Sequence, residues 1–204
     1  MNILIAGCSQ TGAKLAAELS REGHDVSVVD PSAAAQSLLS DDFTGYFTTG
    51  ILIDEDVLRN AGIENCDAVA AVSDNDNINI MVSQIAKTIF HIGTVVASLQ
   101  DPAREEKFGA LITTVCPTNI AASSIKGYLL RQSAGQITLG SSTLDVHLMQ
   151  VPDHLIGFRA KDIQARKGEA VLGVFREGKG LVLSADDDQL LLETDWLAVA
   201  QIVD

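Results

Sequence analysis

The sequence predicts an α/β protein in which a doubly wound parallel sheet (Rossmann-like) is followed by a small α+β C-terminal domain. Three observations predict it. Apolar runs alternate with helix-periodic segments six times in about 130 residues. The chain opens in the order strand, glycine turn, helix, strand and acid, which is typical of a Rossmann βαβ unit. Beyond Gln132 the pattern changes to strands separated by glycine turns.

Local signals define the elements of the first half. An apolar run at residues 2–6 predicts the first strand, and the periodic segment from Gln10 to about residue 22 predicts a helix that ends at Gly23. Further strands are predicted at residues 26–29, 45–48, 68–72, 94–99 and 111–115, and further helices at residues 31–39, 54–61, 77–90, 102–108 and 117–131. We expect the strand order 3-2-1-4-5-6, with a ligand crevice at the carboxyl ends of strands one and four.

The turn after the first strand has the chemistry of a phosphate site. Gly7 permits a tight turn, Gly12 lets the helix pack close to the strand, and the helix start presents unpaired N–H groups to an anion. Asp30 follows at the distance where a carboxylate accepts hydrogen bonds from ribose hydroxyls and repels a 2′-phosphate, which disfavours NADP. The predicted nucleotide-binding residues are Gly7, Cys8, Ser9, Gln10, Thr11, Gly12, Asp30, Pro31, Ile51, Leu52, Ser73 and Asp74.

One position departs from the G-x-G-x-x-G pattern, because Ser9 stands where the middle glycine lets a pyrophosphate approach the backbone. Its hydroxyl either donates to a phosphate or crowds the site. The alternative to binding is a tight turn that holds no ligand. For Cys8 we favour a small residue filling the turn over a redox thiol. We interpret Lys14, the nearest base, as a solvated helix residue.

Composition excludes several classes of function. The net charge of −13 disfavours nucleic acid and anionic membrane surfaces, since both require Lys and Arg on the protein. The longest apolar stretch, residues 85–99, is too short and too polar to span a bilayer, so we expect no direct membrane insertion. The start of the chain lacks the features of a signal peptide, and three scattered cysteines suit a reducing compartment. We therefore expect a cytoplasmic protein.

The second half predicts a small domain with strands at residues 144–148, 170–175, 181–183 and 196–203. Residues 132–142 are polar and rich in Gly and Ser, which indicates a connection between the two domains. A short helix is predicted at residues 160–164. We interpret the consecutive acids at residues 186–188 as a solvated turn and not as a cation site, because neighbouring side chains converge poorly on one ion.

Stretches of both halves together resemble the RCK (or KTN) domain family, which includes the cytosolic regulatory subunits of Trk/Ktr-type potassium-uptake systems. Residues 67–79 (ending AVAAVSDNDNIN) are similar to the family's loop after strand four, and residues 110–125 are similar to its strand six and crossover helix. Residues 194–200 (TDWLAVA) are similar to its C-terminal ending. The other stretches that carry the resemblance are residues 3–12, 23–30 and 151–157.

The resemblance implies a protein that catalyses nothing. It implies that residues 1–132 form a domain that binds an adenine nucleotide (NAD, NADH, ATP or ADP) and that residues 133–204 form a regulatory domain, which in some members binds cyclic di-AMP. It also implies self-association as a dimer or ring. The implied partner is a membrane potassium-transporter subunit, to which the protein attaches peripherally at the inner face of the membrane.

Three positions differ from the family pattern. Gln10 stands where members often have an arginine that meets phosphates, Ile51 replaces an aspartate after Gly50, and Thr194 replaces a glycine before Asp195. These changes suggest altered nucleotide choice or a turn that no longer binds. Two alternatives to the regulatory interpretation therefore stay open. One is an NAD-dependent oxidoreductase, and the other is a non-binding structural partner of a nucleotide-competent paralogue.

Overall fold

The computed structural model describes residues 1–129, 135–139, 142–163 and 168–202. The contacts within the chain divide it into two units, Met1–Asn119 and Ile120–Asp204, which are described separately. The predicted domain boundary, between residues 132 and 133, lies outside the described residues. It therefore stays a prediction.

The first unit contains a six-stranded parallel sheet in the order β3-β2-β1-β4-β5-β6, which confirms the predicted order. The order reverses between β1 and β4, so their carboxyl ends flank the crevice where open α/β sheets bind ligands. The strands are β1 (Asn2–Ala6), β2 (Asp25–Asp30), β3 (Tyr46–Thr49), β4 (Ala68–Ala71), β5 (Thr94–Ser98) and β6 (Thr113–Val115).

The helices begin where the sequence supplies side-chain caps. Ser9, Asp54, Asn75 and Asp101 each accept a hydrogen bond from a backbone N–H in the first turn that follows, which satisfies donors that the helix itself leaves unpaired. The α-helices are α1 (Gln10–Arg21), α2 (Glu55–Asn60), α3 (Asp76–Thr88), α4 (Pro102–Phe108) and α5 (Pro117–Leu129).

The helix predicted at residues 31–39 is a 3₁₀ helix, Ala33–Leu38, and none of its residues is buried. The segment is made of small or polar residues apart from its final leucines, so it has no apolar stripe that could pack a regular α-helix onto the sheet. The pattern therefore predicted a helical segment correctly but not its type.

The sheet is buried on both faces. Leu4 packs with Val29 and Leu58 on one side, whereas Ile5 packs with Val28 on the other, so neighbouring residues of β1 enter different cores. Full burial of one such side chain stabilises the fold by roughly 1.5–3 kcal/mol. This packing fixes the strand ends that carry the β1–α1 turn.

The second unit contains an antiparallel sheet in the order β10-β9-β11-β8-β7. Strand β7 lies within residues 132–142, which the sequence predicted as a polar connection. Its alternation of Gln, Ile, Thr and Leu is typical of a strand, but the surrounding Gly and Ser residues concealed it. The strands are β7 (Gly135–Leu139), β8 (Ser142–Gln150), β9 (Glu169–Arg176), β10 (Gly180–Leu183) and β11 (Trp196–Ile202).

The two faces of this second sheet differ. One face packs Val174, Leu197 and Leu191 into a core that two 3₁₀ helices, Asp153–Leu155 and Ala160–Asp162, help to cover. The other, here named the open sheet face, carries apolar side chains that strand register brings together and that remain partly or fully exposed. Its large members are Leu148, Phe175, Leu181, Leu183 and Trp196.

Candidate functional site

The β1–α1 turn requires both of its glycines. Gly7 has φ 106°, and a Cβ added there would lie 2.5 Å from the backbone nitrogen of Ser73. A Cβ on Gly12 would lie 2.1 Å from the carbonyl oxygen of Gly7. The glycines therefore allow the turn, the helix start and the end of β4 to approach one another more closely than any side chain would permit.

Ser9 ties this turn to the neighbouring strand. Its Oγ donates a hydrogen bond to the carbonyl oxygen of Val72 at 2.7 Å and accepts one from the N–H of Gly12 at 3.3 Å. The hydroxyl thus caps α1 and bridges to the residue after β4. Of the two roles predicted for Ser9, donation to a phosphate would require the hydroxyl to leave Val72.

Asp30 holds the same turn from the side of β2. One carboxylate oxygen accepts the N–H of Cys8 at 2.8 Å, and the other accepts the N–H of Ser32 at 2.8 Å. Each carboxylate oxygen has two lone pairs, so Asp30 retains the capacity to accept hydrogen bonds from ribose hydroxyls. The structure thus adds a structural role for Asp30 that the sequence did not predict.

Cys8 fills the interior of the turn. Its side chain is buried, and its Sγ donates a hydrogen bond to the carbonyl oxygen of Ala35 at 3.3 Å. Burial, together with the negative charge of Asp30, raises the pKa of the Cys8 thiol. Because a thiolate is the reactive form of cysteine, this environment favours the small-residue interpretation over a redox role.

Ser73, which follows β4, is fixed by a residue that the sequence did not single out. Asn79 of α3 is only 1% exposed; its Oδ1 accepts the N–H of Ser73 at 2.9 Å, and its Nδ2 donates to the carbonyl oxygen of Ser98 at 2.8 Å. Asn79 therefore joins the ends of β4 and β5. The sequence signal that could have identified Asn79 is an amide side chain placed on the buried face of a helix. Asp74, the next predicted site residue, is exposed.

The remaining predicted residues divide into two groups. Gln10, Thr11, Pro31 and Ile51 are exposed around the turn and the ends of β2 and β3. Leu52 is 3% exposed, and its side chain packs in the hydrophobic core. The structure therefore gathers most of the predicted set at one edge of the sheet and gives Leu52 a packing role.

A separate hollow of about 430 Å³ lies beside this edge, and Asp74 is the one predicted site residue among those that line it. Three carboxylates surround it, while its single base, Arg104, donates to Asn77 at 2.6 Å. Because carboxylates repel phosphate, we assign the candidate phosphate site to the turn and not to the hollow. The hollow is lined by Asp74, Asn75, Asp76, Asn77, Gln100, Asp101 and Arg104.

Two further features bear on the possible ligands and surroundings. Within the described residues, no three His, Cys, Asp or Glu side chains are grouped so that they could hold a metal ion. Among the helices of those same residues, none combines the length and apolar character that a bilayer crossing requires.

Lys14 is largely exposed, and its Nζ lies 3.8 Å from Glu18, as expected for a solvated helix residue.

Comparison with known proteins identifies the family. The TrkA-N domain matches residues 3–116, which is more than half of the chain. The chain belongs to the TrkA-N domain family. Over its entire length it is similar to the Trk system potassium uptake protein TrkA of Streptomyces coelicolor, with 34% identity over 209 aligned residues that cover 92% of that protein. A TrkA homologue of Pyrococcus abyssi is 26% identical over 196 residues, which cover 92% of this chain and 86% of the homologue.

Solved structures share the fold of the TrkA-N family chain. The GsuK channel bound to NAD superposes with a TM-score of 0.63 at 19% identity, covering 98% of this chain and 37% of that one. The Shewanella denitrificans Kef C-terminal domain in its AMP-bound form gives a TM-score of 0.56 at 19% identity, covering 64% of this chain and 80% of that one. At these identities the likeness concerns the fold alone.

The TrkA-N match confirms the resemblance to Trk/Ktr regulatory subunits and the predicted fold class. It also decides between two of the predicted functions. The relatives are named as Trk system potassium uptake proteins, which groups the chain with regulatory subunits of potassium uptake instead of oxidoreductases. The residues that contact a ligand stay predictions.

The alignment with the Streptomyces coelicolor protein also covers the second unit, where Asp195 belongs to a buried charge cluster. Arg176, 7% exposed, donates from Nε to Asp195 at 3.1 Å and from a terminal nitrogen to Asp187 at 2.9 Å. Asp187 is 3% exposed, so the interpretation of residues 186–188 as a solvated turn is wrong for this residue. Asp187 is buried and not solvated because Arg176, eleven residues earlier in the chain, pairs with its carboxylate.

Electrostatics agree with a structural role for this cluster. Burial by itself would lower the pKa of Arg176, but hydrogen bonds and charge attraction from Asp187 and Asp195 outweigh it and raise that pKa. Burial would likewise raise the pKa of Asp187, but the hydrogen bonds from Arg176 and from the N–H of Gln189, together with the charge of Arg176, outweigh it and lower that pKa. The shifts of Arg176 and Asp187 both favour the charged forms, as expected for an ion pair that stabilises the fold.

Proposed function

We propose that the chain is a nucleotide-sensing regulatory subunit that assembles with a membrane potassium-uptake transporter and gates it. The observation that carries the proposal is the β1–α1 turn. Its two glycines and Asp30 have the geometry of a phosphate and ribose site within a chain that aligns along its whole length with a potassium uptake protein.

The proposed ligand is an adenine nucleotide: AMP, ADP, ATP, NAD or NADH. Backbone N–H groups of Gln10 and Thr11 at the start of α1 would meet a phosphate, because helix residues this early have no intrahelical acceptor. Asp30 would accept the ribose hydroxyls, and Pro31, Ile51, Ser73 and Asp74 would border the base and sugar. Structures named for bound AMP, ADP and NAD occur among the proteins of similar fold, which supports this class of ligand.

Regulation requires that the nucleotide distinguish two states of an assembly. A ligand shifts such an equilibrium only by the difference between its affinities for the two states. We propose that the assembly is a dimer or ring of this chain. The open sheet face supports self-association, because it brings together large apolar side chains that remain partly or fully exposed. Exposed apolar patches of this kind usually mark interfaces.

The proposed partner is a membrane potassium-transporter subunit, with this chain attached at the cytoplasmic side. Charge supports this arrangement: the chain carries −13, while the cytoplasmic loops of membrane proteins carry an excess of Lys and Arg. The attachment is therefore expected to be peripheral and sensitive to salt. Cyclic di-AMP, which the family resemblance implies for some C-terminal domains, belongs in the same set of candidate ligands.

The test is reconstitution. A membrane potassium-transporter subunit from the same organism is purified with and without this chain, and potassium uptake into vesicles is measured with each nucleotide. We expect the two proteins to co-purify and uptake to change when a binding nucleotide is added. Failure to associate with any potassium-transport subunit would contradict the proposal.

A second candidate is a non-binding structural partner of a nucleotide-competent paralogue. The specific observation in its favour is the internal closure of the turn, in which Ser9 and Asp30 already use the amides of Gly12 and Cys8. Such a protein would join mixed assemblies but show no thermal shift with any nucleotide. Differential scanning fluorimetry of the purified chain separates the two candidates.

A further inference from the structure

Ser9 occupies the position at which dinucleotide-binding turns carry their second glycine. That glycine serves the ligand, since the missing Cβ lets a pyrophosphate approach the backbone. Here the backbone of Ser9 has φ −69° and ψ 177°, which any residue can adopt. The side chain at this position therefore affects what binds on the turn and not whether the turn forms.

Two hydrogen bonds fix the Ser9 side chain. The bond to Val72 anchors the hydroxyl to the end of β4, and the bond from the N–H of Gly12 occupies one of the amides that a helix start otherwise offers to phosphate. A ligand that needs the Gly12 amide must displace the hydroxyl, which would leave the Val72 carbonyl without this donor. The Ser9 side chain therefore opposes a pyrophosphate in two ways: it occupies space on the turn, and it competes for the N–H of Gly12.

The donors that remain are consecutive in the chain. The N–H of Cys8 is used by Asp30, and the first bond within α1 runs from Ala13 to Ser9. The amides of Ser9, Gln10 and Thr11 lie between these two bonds. Three consecutive amides at a helix start suit one phosphate group. A pyrophosphate that is esterified at both ends has to extend along the turn and across Ser9.

We propose that Ser9 is a specificity-determining residue that restricts the turn to adenosine nucleotides ending in a free phosphate, above all AMP, and excludes the bridging pyrophosphate of NAD. The inference rests on the proposed nucleotide-sensing function. It adds to that function the class of ligand and the residue that selects it.

The test is calorimetric titration of the full chain and of Ser9→Gly with AMP, ADP and NAD⁺. The wild type should bind AMP more tightly than NAD⁺. In Ser9→Gly, the affinity for NAD⁺ should rise about tenfold, the worth of one hydrogen bond to a charged phosphate, with the affinity for AMP changing by less than about threefold. The matched control is Ser20→Gly, the same substitution in the last turn of α1, which should leave the ratio of the two affinities unchanged.

Thermal denaturation of each variant verifies that it is folded. In Ser9→Gly the lost cap costs only a few tenths of a kcal/mol, and the lost bond to Val72 costs about 1 kcal/mol more. NAD⁺ binding to the wild type as tight as AMP binding, or an unchanged NAD⁺ affinity in Ser9→Gly, would overturn the inference and leave the proposed function standing. If neither protein binds any of the three nucleotides, the inference fails, and the proposed nucleotide-sensing function fails with it when ATP, NADH and cyclic di-AMP also do not bind.

Discussion

Asp30 in the first unit and Asp195 in the second are both tied into hydrogen-bond networks, yet their surroundings differ. Asp30 is partly exposed and accepts the amides of Cys8 and Ser32. Asp195 is 2% exposed and accepts the guanidinium of Arg176 as well as the amide of Leu192. A carboxylate held by amides at a sheet edge keeps lone pairs for a ligand. A carboxylate buried against an arginine serves the fold. Surroundings, not residue type, separate a candidate binding acid from a structural one.

The largest expected effect comes from breaking the buried cluster. Arg176→Met leaves Asp187 and Asp195 buried without their partner, and the free energy of unfolding of the second unit should fall by about 3–5 kcal/mol. Urea denaturation measures it. Lys179→Met, an exposed substitution in the same hairpin, should change stability by less than about 0.5 kcal/mol. Equal stability of Arg176→Met and wild type would show that the cluster is not structural.

The turn should respond next most strongly to a side chain at Gly7. Gly7→Ala combines positive-φ strain with a Cβ 2.5 Å from the Ser73 backbone and should destabilise the first unit by about 2–4 kcal/mol. Gly23→Ala is the matched control, because Gly23 has φ 85° but no atom within 4 Å of an added Cβ. Its cost should be about 1–2 kcal/mol, the strain alone. Similar losses for both variants would contradict the close approach of the turn to β4.

Asp30→Ala should affect binding more than stability. Loss of the ribose acceptor is expected to weaken nucleotide binding by at least about tenfold. Loss of the tether to Cys8 should lower stability by about 1 kcal/mol. Titration and urea denaturation of the same variant separate the two effects. Unchanged affinity would remove Asp30 from the ligand site and leave it only its structural role.

The smallest of these effects is the pH dependence of the second unit. The pKa of Asp187 is lowered in the folded chain, so its contribution to stability is complete above the unfolded pKa of about 3.9 and is lost as pH falls through the folded value. Urea midpoints between pH 7 and pH 3 should therefore fall more for the wild type than for Asp187→Asn. A parallel fall in both proteins would show that Asp187 does not carry the acid sensitivity.

The sequence predicted the elements of the turn because its signals are local. Gly7, Gly12 and Asp30 belong to one motif of strand, turn and helix. Apolar periodicity located the strands, and the doubly wound fold class that they indicate implied the sheet order. The bond from Ser9 to Val72 joins residues 63 positions apart, and no local pattern reports such a contact.

The second unit was harder to predict for the same reason. Arg176 and Asp195 are 19 positions apart and meet only when β9 and β11 pair. Strand β7 was missed because its pairing with β8 outweighs the low strand propensity of the Gly and Ser residues around it. Tertiary pairing, and not local propensity, decides both features.

The central claim is that the β1–α1 turn is a ligand site and the Arg176 cluster is not. The most direct measurement is calorimetric titration of wild type, Asp30→Ala and the cluster variant Asp187→Asn, each verified as folded by thermal denaturation, with AMP, ADP, ATP, NAD⁺ and NADH. We expect at least one nucleotide to bind the wild type and Asp187→Asn equally well, and Asp30→Ala at least about tenfold more weakly. No binding to the wild type, or full affinity in Asp30→Ala, would contradict the account.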